Sequence, residues 1–319
     1  MNILNKLTIK HLKMNKKRTI VSIVGIILSA ALMVGIGLLM STMRENMIDM
    51  VISENGSQHV SIYNLTEEDY NYIKDSDKIK EILTSEKVGY ARNNLEDLDY
   101  ISYLKVLKAD SKLFQKMHLQ EGRLPENSKE IIIPKYVKAN IGDEITLEVG
   151  DRSLDGELLE DTTWQEDESE VSLINTKKIT YKVVGILEND IYRSNYDVGN
   201  PIYTYQDNQK TGSINSFIYF KDMKDTRNFS NLWKEDLELS NEQIKINESL
   251  LDLYGQSRYD NFMGAIISSL TVILVILSIA CIIVIYNSFA ISVMERKKPF
   301  GLLSSIGTTK QQIRKTVFF

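Results

Sequence analysis

The 319-residue chain has one cysteine, three histidines and no acidic residue before position 41. Each shortage excludes something. With Cys281 alone, and inside an apolar run, no disulfide framework can form, and the residue reads as a small apolar packing group. His11, His59 and His118 have neither metal-ligand spacing nor a cysteine partner, so a metal site is not expected. Gly301 and Gly307 lie near Lys310, but no lysine directly follows the second glycine, which excludes a P-loop. Asp151-x-Ser153-x-Asp155-Gly156 imitates the start of a calcium loop, yet Thr162 stands where the closing glutamate belongs, so the segment is expected to be a turn. No nucleophile or poised carboxylate pair stands out. The chain is not expected to be an enzyme or to hold a cofactor.

The missing acids expose a charge pattern. Residues 1–40 carry six Lys/Arg and no acid, and residues 263–319 carry six Lys/Arg and one Glu, leaving 26 basic and 42 acidic residues for 41–262, a net −16. The basic ends coincide with the long apolar runs, which points to a membrane and away from nucleic acid. Ile20–Met40 would span ~32 Å as a helix at ~1.5 Å per residue. Phe262–Met294 is uncharged for 33 residues, more than one crossing needs. A removable signal peptide fits the first run poorly, since no Ala-x-Ala-like site follows Leu38-Leu39-Met40.

The expected organisation is therefore a basic cytoplasmic segment over 1–18, a transmembrane helix over 19–43, an extracytoplasmic domain over 44–255, a second membrane helix with a stalk over 256–294, and a cytoplasmic segment over 295–319. Lys6 to Arg18 on one side and Arg296, Lys297 and Lys298 on the other place both ends in the cytoplasm.

Helix and strand signals mix within the outer domain. Thr66-Glu67-Glu68-Asp69 reads as an N-cap, followed by Tyr70, Ile73, Ile79, Ile82 and Leu83 at helical spacing, so one or two helices are expected. Asp110 can cap a helix bearing Leu113, Phe114 and Met117, and Pro134 suits the first turn of a brief helix through Ala139. Runs at 100–107, 130–133, 143–149, 178–187, 201–205, 214–220 and 243–247 read as strands, giving an α+β domain. The acid-rich stretch 150–176 reads as a solvated loop or hairpin extension.

Small residues four apart, Gly25 with Ser29, Ala31 with Gly35, and Gly264 with Ser268, offer helix-packing faces. Past the second apolar run the cluster Arg296-Lys297-Lys298 precedes Phe300, Leu303 and Ile306, which share one face of a short helix closed by Gly307. Such a helix can lie on lipid or seat its apolar side in a protein groove.

Here the chain resembles the FtsX-like, MacB-type permeases of ABC transporters. Residues 295–313 follow the pattern Glu-Arg-x-x-x-Phe-Gly-Leu-Leu-x-Ser-Ile-Gly-x-x-x-x-Gln-Ile, with Pro299 where an acid is common. The ordered signals Gly122-Arg123-Leu124-Pro125, Glu130–Ile133, Ile141-Gly142-Asp143 and Tyr181–Ile186 are similar to that family's extracytoplasmic core domain. The resemblance implies an α+β extracytoplasmic domain between two transmembrane helices, followed by a cytoplasmic coupling helix. It also implies a partner ABC ATPase docking on Glu295, Arg296, Lys297, Lys298, Phe300, Gly301, Leu303, Ile306 and Gly307. A second permease copy or sister permease, and an extracytoplasmic protein or peptide, are the further partners implied. Such permeases carry additional membrane helices after this segment, so the chain is expected to be the N-terminal portion of a longer one. A two-helix sensor has the same topology but should continue into a heptad-bearing signalling helix, and a membrane-anchored enzyme lacks candidate chemistry here.

Overall fold

A computed structural model describes residues 16–95, 102–165, 168–194, 196–206, 212–256, 262–305, 307 and 309. The basic stretch 1–15, Ile306 and residues 310–319 lie outside the described residues. Two compact units divide the chain: Met1–Asn46 with Asp260–Phe319, and Met47–Tyr259.

The first unit contains the apolar helices, apart from the last turns of the first one, from Met47 on. Helix α1 is Lys16–Asn55, within which Ile23–Asn55 is long and apolar enough to cross a membrane. Ile27, Leu28, Val34 and Leu38 are all more than half exposed, an apolar surface that water does not tolerate over such a length. The C-terminal helix of the chain, Phe262–Ser305, has a described apolar stretch over Thr271–Asn287 whose Val272, Ile276, Ile279 and Ile282 are similarly bare. Cys281 is buried in this unit, in keeping with a packing role.

The second unit is α+β. In chain order it holds β1 (Val60–Leu65), α2 (Glu67–Lys74), β2 (Ile79–Arg92), β3 (Tyr103–Ala109), α3 (Ser111–Lys116), β4 (Leu119–Gly122), β5 (Glu130–Pro134), β6 (Glu144–Leu154), β7 (Glu157–Leu158), β8 (Ser172–Leu187), β9 (Asn200–Tyr205), β10 (Ile214–Phe220), α4 (Asp225–Asp236), β11 (Ile244–Ile246) and α5 (Glu248–Leu253); the C-terminal helix is α6. The expected caps form. Thr66 Oγ1 accepts from Asp69 N while Asp69 Oδ2 accepts from Thr66 N, and Asp110 Oδ1 accepts from Leu113 N at 2.6 Å.

The strands run β11-β1-β10-β2-β3-β9-β5-β8-β6-β7, with β4 on β8. One further pairing changes the architecture: Tyr90 on β2 meets Gly150 on β6, so β2-β3-β9-β5-β8-β6 closes into a six-stranded barrel. Alternation fills it. Leu104 and Val106, Ile131 and Ile133, Ile145, Leu147 and Val149, Tyr181 and Val183, and Ile202 form one buried cluster, each set spaced by two along its strand. The closure depends on glycine. A Cβ on Gly150 would lie 2.4 Å from the Ile174 carbonyl, and Gly89, at φ +151°, sits at a β-bulge against the Gly150 carbonyl. Beyond the barrel, α2 and α4 cover β1 and β10 through Ile73, Trp233, Ile62 and Phe220.

Three expectations change. Ile79, Ile82 and Leu83 belong to strand β2, where Ile82 opposes Ile218 and Leu83 opposes Phe217; cross-strand pairing overrides their helical spacing. Pro134 ends β5 and begins a turn closed by Val137 N donating to its carbonyl, so no helix runs to Ala139. The 150–176 stretch is a hairpin extension turning at Asp155 and Gly156 (φ +51° and +87°), but its charges are not simply solvated, because Arg152 and Asp161 are buried.

Candidate functional site

The basic-apolar segment at 295–307 is not a separate short helix. Helix α6 runs without a break through Glu295, Arg296, Lys297, Lys298, Pro299, Phe300, Gly301 and Leu303 to Ser305, and Gly307 follows in a turn at φ +89°. Pro299 thus lies inside the helix, where its missing N–H leaves the Glu295 carbonyl without that donor. Lys297 and Gly301 are exposed. Of the small-residue pairs, Ala31 and Ser268 are exposed and Gly25 is half-buried, and the space a Cβ would take on Gly35 is open. Ser29 and Gly264 lie within their helices at the expected spacing.

Within the second unit, the joint where the chain leaves α1 was missed in the sequence. Its centre is Asn247. The Asn247 Nδ2 donates to the carbonyls of Gly56 (2.9 Å) and Gln58 (3.1 Å), while its Oδ1 accepts from Leu250 N and caps α5. Its backbone N–H reaches the His59 carbonyl, and β1 and β11 pair beside it from Val60 with Ile246 onward. One side chain therefore ties the segment that leaves α1 to the segment that precedes α6. His59 reinforces the joint: its Nδ1 accepts from Phe220 N, and burial, then Lys80, lowers its pKa to about 4, so it stays neutral. Arg227 adds a brace on the same side, pairing with Glu248 and Asp252 and donating to the Gln256 carbonyl. An Asn directly before Glu248-Ser249-Leu250-Leu251 was the available signal, a cap at the head of a short apolar run.

Charge is also buried on the outer side of the barrel wall. Lys105 Nζ lies 2.7 Å from Asp197 and 2.8 Å from Asp161, and Lys87 Nζ lies 2.7 Å from Asp161. Burial would raise Asp161, but Lys105 and Lys87 outweigh it and hold the carboxyl below its usual range; Asp197, where burial dominates, is raised. Arg152 pairs with Glu168 at 2.8 Å and spreads over the Tyr103 ring. These groups bolt the 155–171 and 188–199 segments to β2 and β3. Buried pairs of this kind add little net stability, because desolvating both charges offsets most of their attraction. Among the described residues no group of three or more His, Cys, Asp or Glu is placed to hold a metal.

Comparison with known proteins identifies the class. The MacB-like periplasmic core domain matches residues 19–232, and the FtsX-like permease C-terminal region matches residues 271–319. The chain belongs to the FtsX/MacB-like permease family, with an α+β domain between two apolar helices. No curated protein matches it. Among solved structures, the extracellular domain of the noncanonic ABC-type transporter YknZ from Gram-positive bacteria is 13% identical (TM-score 0.31), covering 58% of this chain and 98% of that one. The periplasmic region of MacB from Actinobacillus actinomycetemcomitans is 11% identical (TM-score 0.33), covering 65% and 97%. A domain of a permease protein from Porphyromonas gingivalis is 9% identical (TM-score 0.29), covering 59% and 77%.

Proposed function

We propose that this chain is the permease subunit of an FtsX/MacB-type ABC transporter that passes ATP-driven movement from a cytoplasmic ATPase to an outer domain, for export or for control of an envelope process. In this reading both helices cross the membrane, residues 44–255 lie outside, and both ends are cytoplasmic. ATP is hydrolysed on the partner. A second permease copy or a sister permease packs on the small-residue faces, and an extracytoplasmic protein or peptide is the outer partner.

The observation that carries the reading is the Asn247 junction. Because one amide holds both Gly56 and the head of α5, the chain leaving α1 and the chain entering α5 are fastened to each other within the domain. A displacement delivered along either segment reaches the same β1–β11 edge. The segment 295–307 is the proposed ATPase contact, with Phe300, Leu303 and Ile306 supplying apolar area and Arg296, Lys297 and Lys298 the charge.

The test is co-purification of the ATPase subunit with the full-length permease. Phe300→Asp or Ile306→Asp should abolish it, since a buried unpaired carboxylate costs several kcal/mol, while membrane insertion and outer-domain folding persist. Lys298→Ala should act weakly and in a salt-dependent way. ATPase retention by both Asp variants would make this segment an interfacial helix only.

A further inference from the structure

The alternation that fills the barrel also dictates what rings its mouth. Two residues beyond the inward-facing Val106 and Ile202 come Lys108 and Thr204, and two before Ile131 and Ile179 come Lys129 and Lys177. On the remaining strands the same level is held by Glu86 and Asp151. Strand directions agree: β3 runs parallel to β9 and β5 parallel to β8, the two pairs meeting antiparallel, so all six positions fall at one end. All six line a single open cleft of about 670 Å³, with Val149, Ile179 and Tyr181 among the apolar residues at its inner wall.

The ring is not evenly balanced. Glu86 is occupied by the Gly212 N–H (2.6 Å) and Gln206 Nε2, and Asp151 by Asn175 Nδ2. Lys87, also at the cleft, is held by Asp161. Lys108, Lys129 and Lys177 form no ion pair among the described residues. Beneath them Thr204 is 1% exposed, and its hydroxyl has no hydrogen-bond partner among the described residues. A buried hydroxyl left unpaired is costly and asks for an occupant. Three lysines at the same cleft, without an ion pair among the described residues, define the occupant's charge, on a domain that is otherwise strongly acidic.

We infer that the barrel mouth binds a phosphate-type oxyanion, with Lys108, Lys129 and Lys177 neutralising it and the Thr204 hydroxyl donating to one of its oxygens. Barrel mouths of this size suit a small ligand. The site goes beyond the permease reading and does not depend on ATPase docking.

The full chain in detergent is titrated calorimetrically with inorganic phosphate at an ionic strength held constant with chloride. Saturable binding is expected. Lys108→Gln combined with Lys177→Gln should weaken it by about tenfold or more, and Thr204→Val by about tenfold, as loss of a hydrogen bond to a charged group implies. Thr204→Val should leave the unliganded melting temperature unchanged or higher, which separates a ligand contact from a folding role. Glycerol phosphate and monomeric short-chain phosphatidylglycerol identify the source: binding tighter than that of phosphate assigns a lipid headgroup, and equal or weaker binding a free oxyanion. No saturable heat, or phosphate affinity retained in both the double variant and Thr204→Val, overturns the site.

Discussion

Two titratable side chains, His59 and Asp190, oppose each other in pH dependence. His59 is lowered to about 4 by burial, so between pH 4 and 6.5 the unfolded chain binds the proton more readily, and its contribution to stability is lost as pH falls through that window. Asp190 is raised to about 6 by burial of its carboxyl, whose Oδ2 has no partner among the described residues while Oδ1 accepts from the Tyr203 hydroxyl at 2.9 Å. Its sign is reversed: between about pH 4 and 6 the folded state binds the proton more readily, and stability falls as pH rises. The two slopes therefore oppose each other over the shared window between about pH 4 and 6. Asp190→Asn should expose the His59 slope, giving a melting temperature that drops steeply from pH 6.5 to 4.5 and a more stable domain at pH 7.5. Thermal melts across that range check it; an unchanged profile means that the Asp190 carboxyl is not held protonated. His59 was visible in the sequence only as a histidine without metal spacing, because its partner, Phe220 N, is 161 residues away.

At the scale of elements, the sequence showed most of the β-strands and both local caps. It showed them because alternation and Asp/Thr caps are written within a few residues. Strand β2 escaped: Ile79, Ile82 and Leu83 carry a helical period, and the bulge at Lys87–Gly89 interrupts its alternation. The barrel closure escaped for a related reason, since Gly89 and Gly150 mark it only when brought together from 61 residues apart. Gly150→Ala should therefore cost about 1–3 kcal/mol by forcing Cβ onto the Ile174 backbone, and it should loosen the 150–176 extension selectively. Limited proteolysis after Arg152 or within 155–171 reads this out. A variant as protease-resistant as the parent would mean that the closure tolerates a side chain.

For the whole molecule, the charge asymmetry makes the strongest statement about orientation. In a Cys281→Ser background, Lys16→Cys and Lys297→Cys should stay shielded from an impermeant thiol reagent added to intact cells, whereas Glu157→Cys, on the exposed β7 turn, should react. Labelling of Lys16→Cys from outside would reverse the proposed topology. The same scale explains why the candidate sites differ in legibility. The 295–307 motif is contiguous and could be read directly. The Asn247 joint unites residues 56, 58 and 247, and the ring of Glu86, Lys108, Lys129, Asp151, Lys177 and Thr204 at the barrel mouth takes one residue from each of six segments.

What the sequence determined by itself is what short-range chemistry and net charge can encode: two apolar helices, basic flanks, an acidic α+β domain between them, local caps, and the contiguous family motif. Tertiary structure decided that the β-strands close into a barrel, that the acids of 150–176 include a buried Asp161 bridging two lysines, and that Asn247 fastens two distant chain segments. It also decided that Lys108, Lys129, Lys177 and Thr204 share one ring. Each of these depends on strand register and on which residues meet across the closed sheet. A one-residue slip would turn the strand residues Lys105, Lys108, Lys177 and Thr204 to the opposite face, and no local pattern fixes register between segments that far apart.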